Sequence, residues 1–140
     1  MIERIRISEL PKRVIRSSIG KQKGGEYERQ VCKLLSLWVS GGQHVDLYWR
    51  SAMSGGRATR ANGAVRQSGD ITAVAPEGHV LTDHCFIECK HHRDLGLRQL
   101  LLGRGPLAQF WLQARRQAAL YGRKTVLIAK QNLFPALVLT

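Results

Sequence analysis

The stretch Cys85-Phe86-Ile87-Glu88-Cys89-Lys90 constrains the fold more than any other part of this chain. Side chains alternate faces along a strand. Read as a strand, it turns Cys85, Ile87 and Cys89 to one apolar face and Glu88 and Lys90 to the other, about 7 Å apart along the chain. A strand of this kind packs one face into a core and carries charge on the other. The surrounding sequence supplies the layers it needs. Glu26 to Ser40 reads as a helix with Tyr27, Val31, Leu34, Leu35 and Trp38 as its apolar stripe, and Gly41-Gly42 stops it. Val45 to Ala52 reads as a strand in which Val45, Leu47 and Trp49 alternate with more polar neighbours. Asp70 to Ala75, a turn at Pro76-Glu77-Gly78, and His79 to Lys90 form an antiparallel hairpin, with a break near Asp83.

Residues 91–105 form a polar, then Gly-rich connection with a short helix among Leu95, Leu97 and Leu100 to Leu102. Pro106 opens a second helix, the position where proline fits best. Leu107, Phe110, Trp111, Ala114, Ala118 and Tyr121 share one face of it, and Gly122 ends it. Lys124 to Ala129 is a buried strand, and Pro135 to Leu139 is one more. The order α-β-β-β-α-β is that of an α/β protein with a mixed central sheet flanked by helices.

A chain of 140 residues forms a single domain by default, and an apolar share of 44% excludes wholesale disorder. We divide it into a basic N-terminal arm, 1–22, and one domain, 23–140. No apolar run approaches the ~20 residues of a membrane span, and no signal-peptide core is present, so the expected location is the cytoplasm. Three cysteines, Cys32, Cys85 and Cys89, are too few for a disulfide scaffold. Charge is the strongest bulk signal. Lys and Arg total 22 against 10 Asp and Glu, a net +12 that calls for a polyanionic partner, nucleic acid first. The segment 54–69 adds Gly and Ser turn residues with Arg57, Arg60 and Arg66 and reads as a loop.

An isolated Glu-x-Lys is usually an exposed ion pair. Asp70 changes its meaning, because the hairpin brings this second acid beside Glu88. Two carboxylates converging next to a lysine repel each other unless a cation offsets the charge, and Mg²⁺ suits such a site. Lys90 then orients or activates an attacking water and steadies developing charge. Glu28, in line with Val31 and Leu35, leans toward the sheet as a third acid, whereas Glu26 faces water. His84, Cys85, Cys89, His91 and His92 also form a Cys/His cluster, but strand alternation scatters them over both faces, against the usual spacing of a zinc module.

These residues resemble the PD-(D/E)xK nuclease superfamily, and within it the archaeal-type Holliday-junction resolvases and related phage or restriction-like endonucleases. Lys23-Gly24-Gly25-Glu26-Tyr27-Glu28-Arg29 is similar to that family's helix start. Arg50-Ser51-Ala52-Met53-Ser54-Gly55-Gly56 is similar to the stretch after its next strand. Gly69-Asp70-Ile71 and Ile87-Glu88-Cys89-Lys90 are similar to its metal-binding hairpin. The resemblance implies a restriction-endonuclease-like core and Mg²⁺-dependent, structure-selective cleavage of DNA, with Mn²⁺ able to substitute. By the same resemblance Asp70, Glu88 and the backbone carbonyl of Cys89 are metal ligands. Lys90 is the catalytic lysine, and Glu28 completes the metal site through water. The resemblance also puts Arg50 and Ser51 or Ser54 near the scissile phosphate and implies a homodimer, while the basic loop with Arg57, Arg60 and Arg66 and the N-terminal arm are expected to hold flanking DNA. The connections before Asp70 and between Asp70 and Glu88 are longer than in compact resolvases. The other readings are a general, repair or restriction-type nuclease, or a non-catalytic basic DNA-binding protein. Gln117 and Tyr121 form a Gln-x-x-x-Tyr pattern of exonuclease branches, although Tyr121 also belongs to the apolar face of its helix.

Overall fold

A computed structural model describes residues 12–51 and 69–140. Helix α1 (Lys12–Val39) leads into strand β1 (Tyr48–Arg50) and strand β2 (Ile71–Ala73). A 3₁₀ turn (Pro76–Gly78) and one helical turn, α2 (His79–Thr82), precede β3 (Cys85–His92). Helices α3 (Leu97–Leu100) and α4 (Pro106–Leu120) then cross to β4 (Lys124–Gln131), and β5 (Ala136–Leu139) follows.

Strands β3 and β4 pair in parallel from Cys85↔Lys124 to His92↔Gln131, and β5 pairs antiparallel with β4. This three-stranded sheet is mixed, and helices pack on both of its faces. Below it α1 buries Tyr27, Val31 and Cys32 against Leu47, Tyr48, Ile71, Ile87, Cys89 and Ile128. Above it α4 buries Leu107 with Leu95, Leu127 and Ala129. The α/β architecture read from the sequence is the one observed, and it is compatible with a restriction-endonuclease-like core.

Several local expectations are corrected. The first helix starts at Lys12, not Glu26, so Gly24-Gly25 lies inside it, and residues 12–22 are helical backbone continuous with residues 23–39. Glycine in a helix interior is unfavourable by about 1 kcal/mol relative to alanine. Gly25 has a packing reason: a Cβ there would sit 3.0 Å from Nη1 of Arg50. The helix does end at Gly41-Gly42, where positive φ angles and a Gly42 amide bond to the Leu37 carbonyl (2.7 Å) close the last turn.

The stripe of α1 is also shifted. Leu34 and Trp38 are 65% and 71% exposed, and the buried line runs through Cys32 and Ser36 instead. The Ser36 hydroxyl donates to the Cys32 carbonyl and accepts the amides of Leu47 and Tyr48 (3.0 and 3.2 Å). It thereby fixes the entry to β1, which is short and turns Tyr48 inward and Trp49 outward, the reverse of the expected parity at Trp49. The expected hairpin is not formed. Strand β2 pairs antiparallel with β1, residues 76–82 turn helically after Pro76, and β3 begins only at Cys85.

Candidate active site

Asp70 reaches β3 by a different route from a hairpin. Gly69 has φ +88°, and a Cβ on it would stand 2.7 Å from the Ile87 carbonyl oxygen. Only glycine lets this backbone press so closely on β3. The Asp70 amide then donates to the Ile87 carbonyl (2.8 Å), and its carbonyl accepts the Ser51 amide (2.8 Å). Its Oδ2 accepts the amide of Cys89 at 2.8 Å. Asp70 is thus stitched along the edge of β3 that β4 leaves free, and it is only 6% exposed.

Glu88 and Lys90 sit on the same face of β3, and Lys90 Nζ donates to Glu88 Oε1 at 2.7 Å. The Lys90 ammonium also lies 5.5 Å from the Phe110 ring centre on α4. Glu28 projects from α1 toward β1, where Arg50 Nε donates to its Oε2 at 2.6 Å. Beside that pair opens a shallow cleft of about 400 Å³ lined by Gln22, Gly25, Arg29 and Arg50. Glu26 bonds Arg29 on the solvent side of the same helix.

Burial pushes the Asp70 carboxyl up to about 7, and the neighbouring charges of Glu88 and Glu28 add to the rise, against the Cys89 amide and Lys90. For Lys90, burial pulls downward, but the charge and hydrogen bond of Glu88, with Asp70 behind it, outweigh that and raise its pKa above 10.5. Lys90 is therefore a cation at neutral pH. Burial, then the charges of Asp70 and Glu28, also lifts the Cys89 thiol well above its ordinary value.

In this arrangement each acid has its own partner: Lys90 for Glu88, Arg50 for Glu28, the Cys89 amide for Asp70. Among the described residues no group of three or more His, Cys, Asp or Glu side chains is already gathered as a metal cluster. The donors that the site does offer are carboxylate and carbonyl oxygens, and the burial and like-charge repulsion that raise the Asp70 carboxyl are what a cation would relieve. Ser51 is buried and its Oγ has no hydrogen-bond partner among the described residues, leaving a hydroxyl beside Asp70 for a ligand. Ser54, Arg57, Arg60 and Arg66 lie outside the described residues. Of the Cys/His cluster, Cys89 is buried against α1, whereas His92 lies against Phe110 on the other side. Tyr121 stacks on Phe86 with ring centres 6.2 Å apart.

Sequence reasoning overlooked the Glu28–Arg50 pair. Its one signal was Gly25, a small residue in a helix where nothing local requires it. No curated protein and no solved structure matches the chain. One family does match, over residues 20–140, a span that holds all of Glu28, Asp70, Glu88 and Lys90. The chain belongs to that family, described as "phage putative PDDEXK endonuclease", and with it to the PD-(D/E)xK nuclease superfamily.

Proposed function

We propose that this protein is a divalent-metal-dependent DNA endonuclease that hydrolyses phosphodiester bonds, selecting branched DNA such as a four-way junction. The observation that carries the reading is the approach of Asp70, Glu88 and Glu28 to one edge of β3 beside Lys90. A protein that only held DNA would gain nothing from acids at its DNA-facing surface, because carboxylates repel phosphate.

Asp70, Glu88 and the Cys89 carbonyl offer the all-oxygen set that Mg²⁺ prefers, and Mn²⁺ can replace it. When bound, the ion supplies Lewis-acid polarisation of the scissile phosphate and a more acidic bound water. Glu28, on α1, would complete the site through a water. Lys90 orients or activates the attacking water and steadies charge growing on the phosphate oxygens. To do so it exchanges Glu88 for the substrate. Arg50 and Ser51 or Ser54 would contact the scissile phosphate, and Arg57, Arg60 and Arg66 would hold flanking ones. A homodimer would present two such sites to the two strands to be cut. The expected compartment is the cytoplasm of the host cell; among the described residues no helix is long and apolar enough to cross a membrane.

The test is cleavage of labelled four-way junction, linear duplex and single strand with Mg²⁺, beside EDTA and Lys90→Ala. Metal-dependent cutting of the junction alone supports the full reading, and cutting of all three makes the protein a general or repair nuclease. Lys90→Ala is expected to lower cleavage at least ~100-fold while DNA binding changes little. Tight, salt-sensitive binding without cutting of any substrate would leave a DNA-binding protein.

A further inference from the structure

A second polar cluster lies next to the acids but on the α1 side of the sheet. His91 and Lys130 are register partners on the parallel strands β3 and β4, so their side chains leave the same face. The His91 ring packs on Tyr27 of α1, with ring centres 5.2 Å apart. One turn earlier on α1, Lys23 donates to Oδ1 of Asn132 in the turn between β4 and β5. Besides burial, the positive charges of Lys23 and Lys130 disfavour a charged His91 ring, and the Asn132 side chain is within hydrogen-bonding reach of it. Three segments distant in sequence, α1, β3 and the end of β4, therefore bring two ammonium groups, an imidazole and a carboxamide together. Among the described residues, no carboxylate forms a salt bridge with either lysine.

Gathering two like charges with no counterion is unfavourable unless an anion settles between them. Lysine, histidine and the asparagine amide are all able to donate to phosphate oxygens. The cluster is displaced from Cys89 by two residues of extended strand, ~7 Å, a distance that one nucleic-acid strand bound at the acids can span. Beyond Lys23 the α1 sequence continues through Lys21, Arg16, Arg13 and Lys12.

We propose that Lys23, His91, Lys130 and Asn132 form a phosphate-binding subsite that grips the nucleic-acid backbone beside the cleaved bond. It rests on the nuclease reading only in taking nucleic acid as the ligand. The subsite sets the position of the strand and takes no part in the chemistry.

Binding of fluorescent duplex DNA, measured by anisotropy in EDTA over a series of NaCl concentrations, tests it without any cleavage. Lys23→Ala/Lys130→Ala is compared with Arg98→Ala/Arg104→Ala, which removes the same charge from the α3 region. Losing two phosphate contacts should lower the slope of log K against log salt by about 2 and weaken binding roughly tenfold at ~100 mM salt, against less than threefold for the control. Lys130→Ala alone leaves the Lys23–Asn132 bond intact and should lose about 1 from the slope, which separates binding from any folding defect. Equal effects of the two double variants, or an unchanged slope in Lys130→Ala, overturn the subsite. Absence of cleavage by the wild type would count against the nuclease reading and leave this result standing.

Discussion

Asp70→Asn should make the metal-free protein more stable at pH 8 while removing its nuclease activity. In the folded chain the Asp70 carboxyl is pushed from 3.8 up to about 7, by burial first and by Glu88 next. A folded value above the unfolded one means that the neutral acid favours the fold. That contribution is fully present below about pH 4 and is lost as pH rises through about 7. Three units of difference amount to about 4 kcal/mol at pH 8. Asparagine, like the neutral acid, removes this charge and keeps an oxygen for the Cys89 amide, but it buries an amide N–H₂ with no assigned acceptor, a cost of about 1–2 kcal/mol. The net gain is about 2 kcal/mol, or about 5–10 °C in Tm for a domain of this size. Thermal melts in EDTA at pH 4, 6 and 8 measure it. The variant should melt above wild type at pH 8 and level with it or below at pH 4. An offset independent of pH, or a variant that melts lower at pH 8, would refute the assignment of Asp70 as a strained, buried charge. Adding Mg²⁺ at pH 8 should then raise the Tm of wild type and leave that of Asp70→Asn nearly unchanged.

Other perturbations follow from the same geometry. Gly69→Ala forces a Cβ to 2.7 Å from the Ile87 carbonyl at a left-handed φ, and should lower stability by about 2–4 kcal/mol in a denaturant titration. Ser36→Ala strips the Leu47 and Tyr48 amides of their shared acceptor, a loss of about 2–3 kcal/mol by the same measurement; a change below 0.5 would show that another group takes over. Arg50→Ala leaves Glu28 largely buried without its partner and should destabilise by about 1–2 kcal/mol, with much of the loss absent in Glu28→Gln/Arg50→Ala; strict additivity in that double-mutant cycle would dissolve the pair.

The elements with long, regular patterns were legible in the sequence. Leu107, Ala114 and Ala118 bury one face of α4 as their spacing implies, and the Val-Leu-Ile-Ala run forms β4. Glu88 and Lys90 share a face because strand alternation leaves no choice. What stayed hidden depends on partners far along the chain. Leu34 and Trp38 look like core and are exposed, because Ser36 takes the inward position and is satisfied by amides 11 and 12 residues away. Gly24-Gly25 reads as a break until the Arg50 guanidinium is seen lying over Gly25. The approach of Asp70 to Glu88 was anticipated, but through a hairpin; in the structure it depends on the conformation of Gly69, which no periodicity encodes.

The parallel pairing of β3 with β4 has a consequence for when this chain becomes an enzyme rather than for how it works. Residue 85 meets residue 124 only after the whole α3–α4 crossover is in place, and Lys23 meets Asn132 across 109 residues. Contacts of such sequence range form late and slowly. The segment bearing Glu88 and Lys90 has no strand neighbour on its β4 side until residues 124–131 have been made. A chain that stops short of β4 therefore lacks the strand that steadies its acids, so the site cannot be assembled from the β3 segment alone.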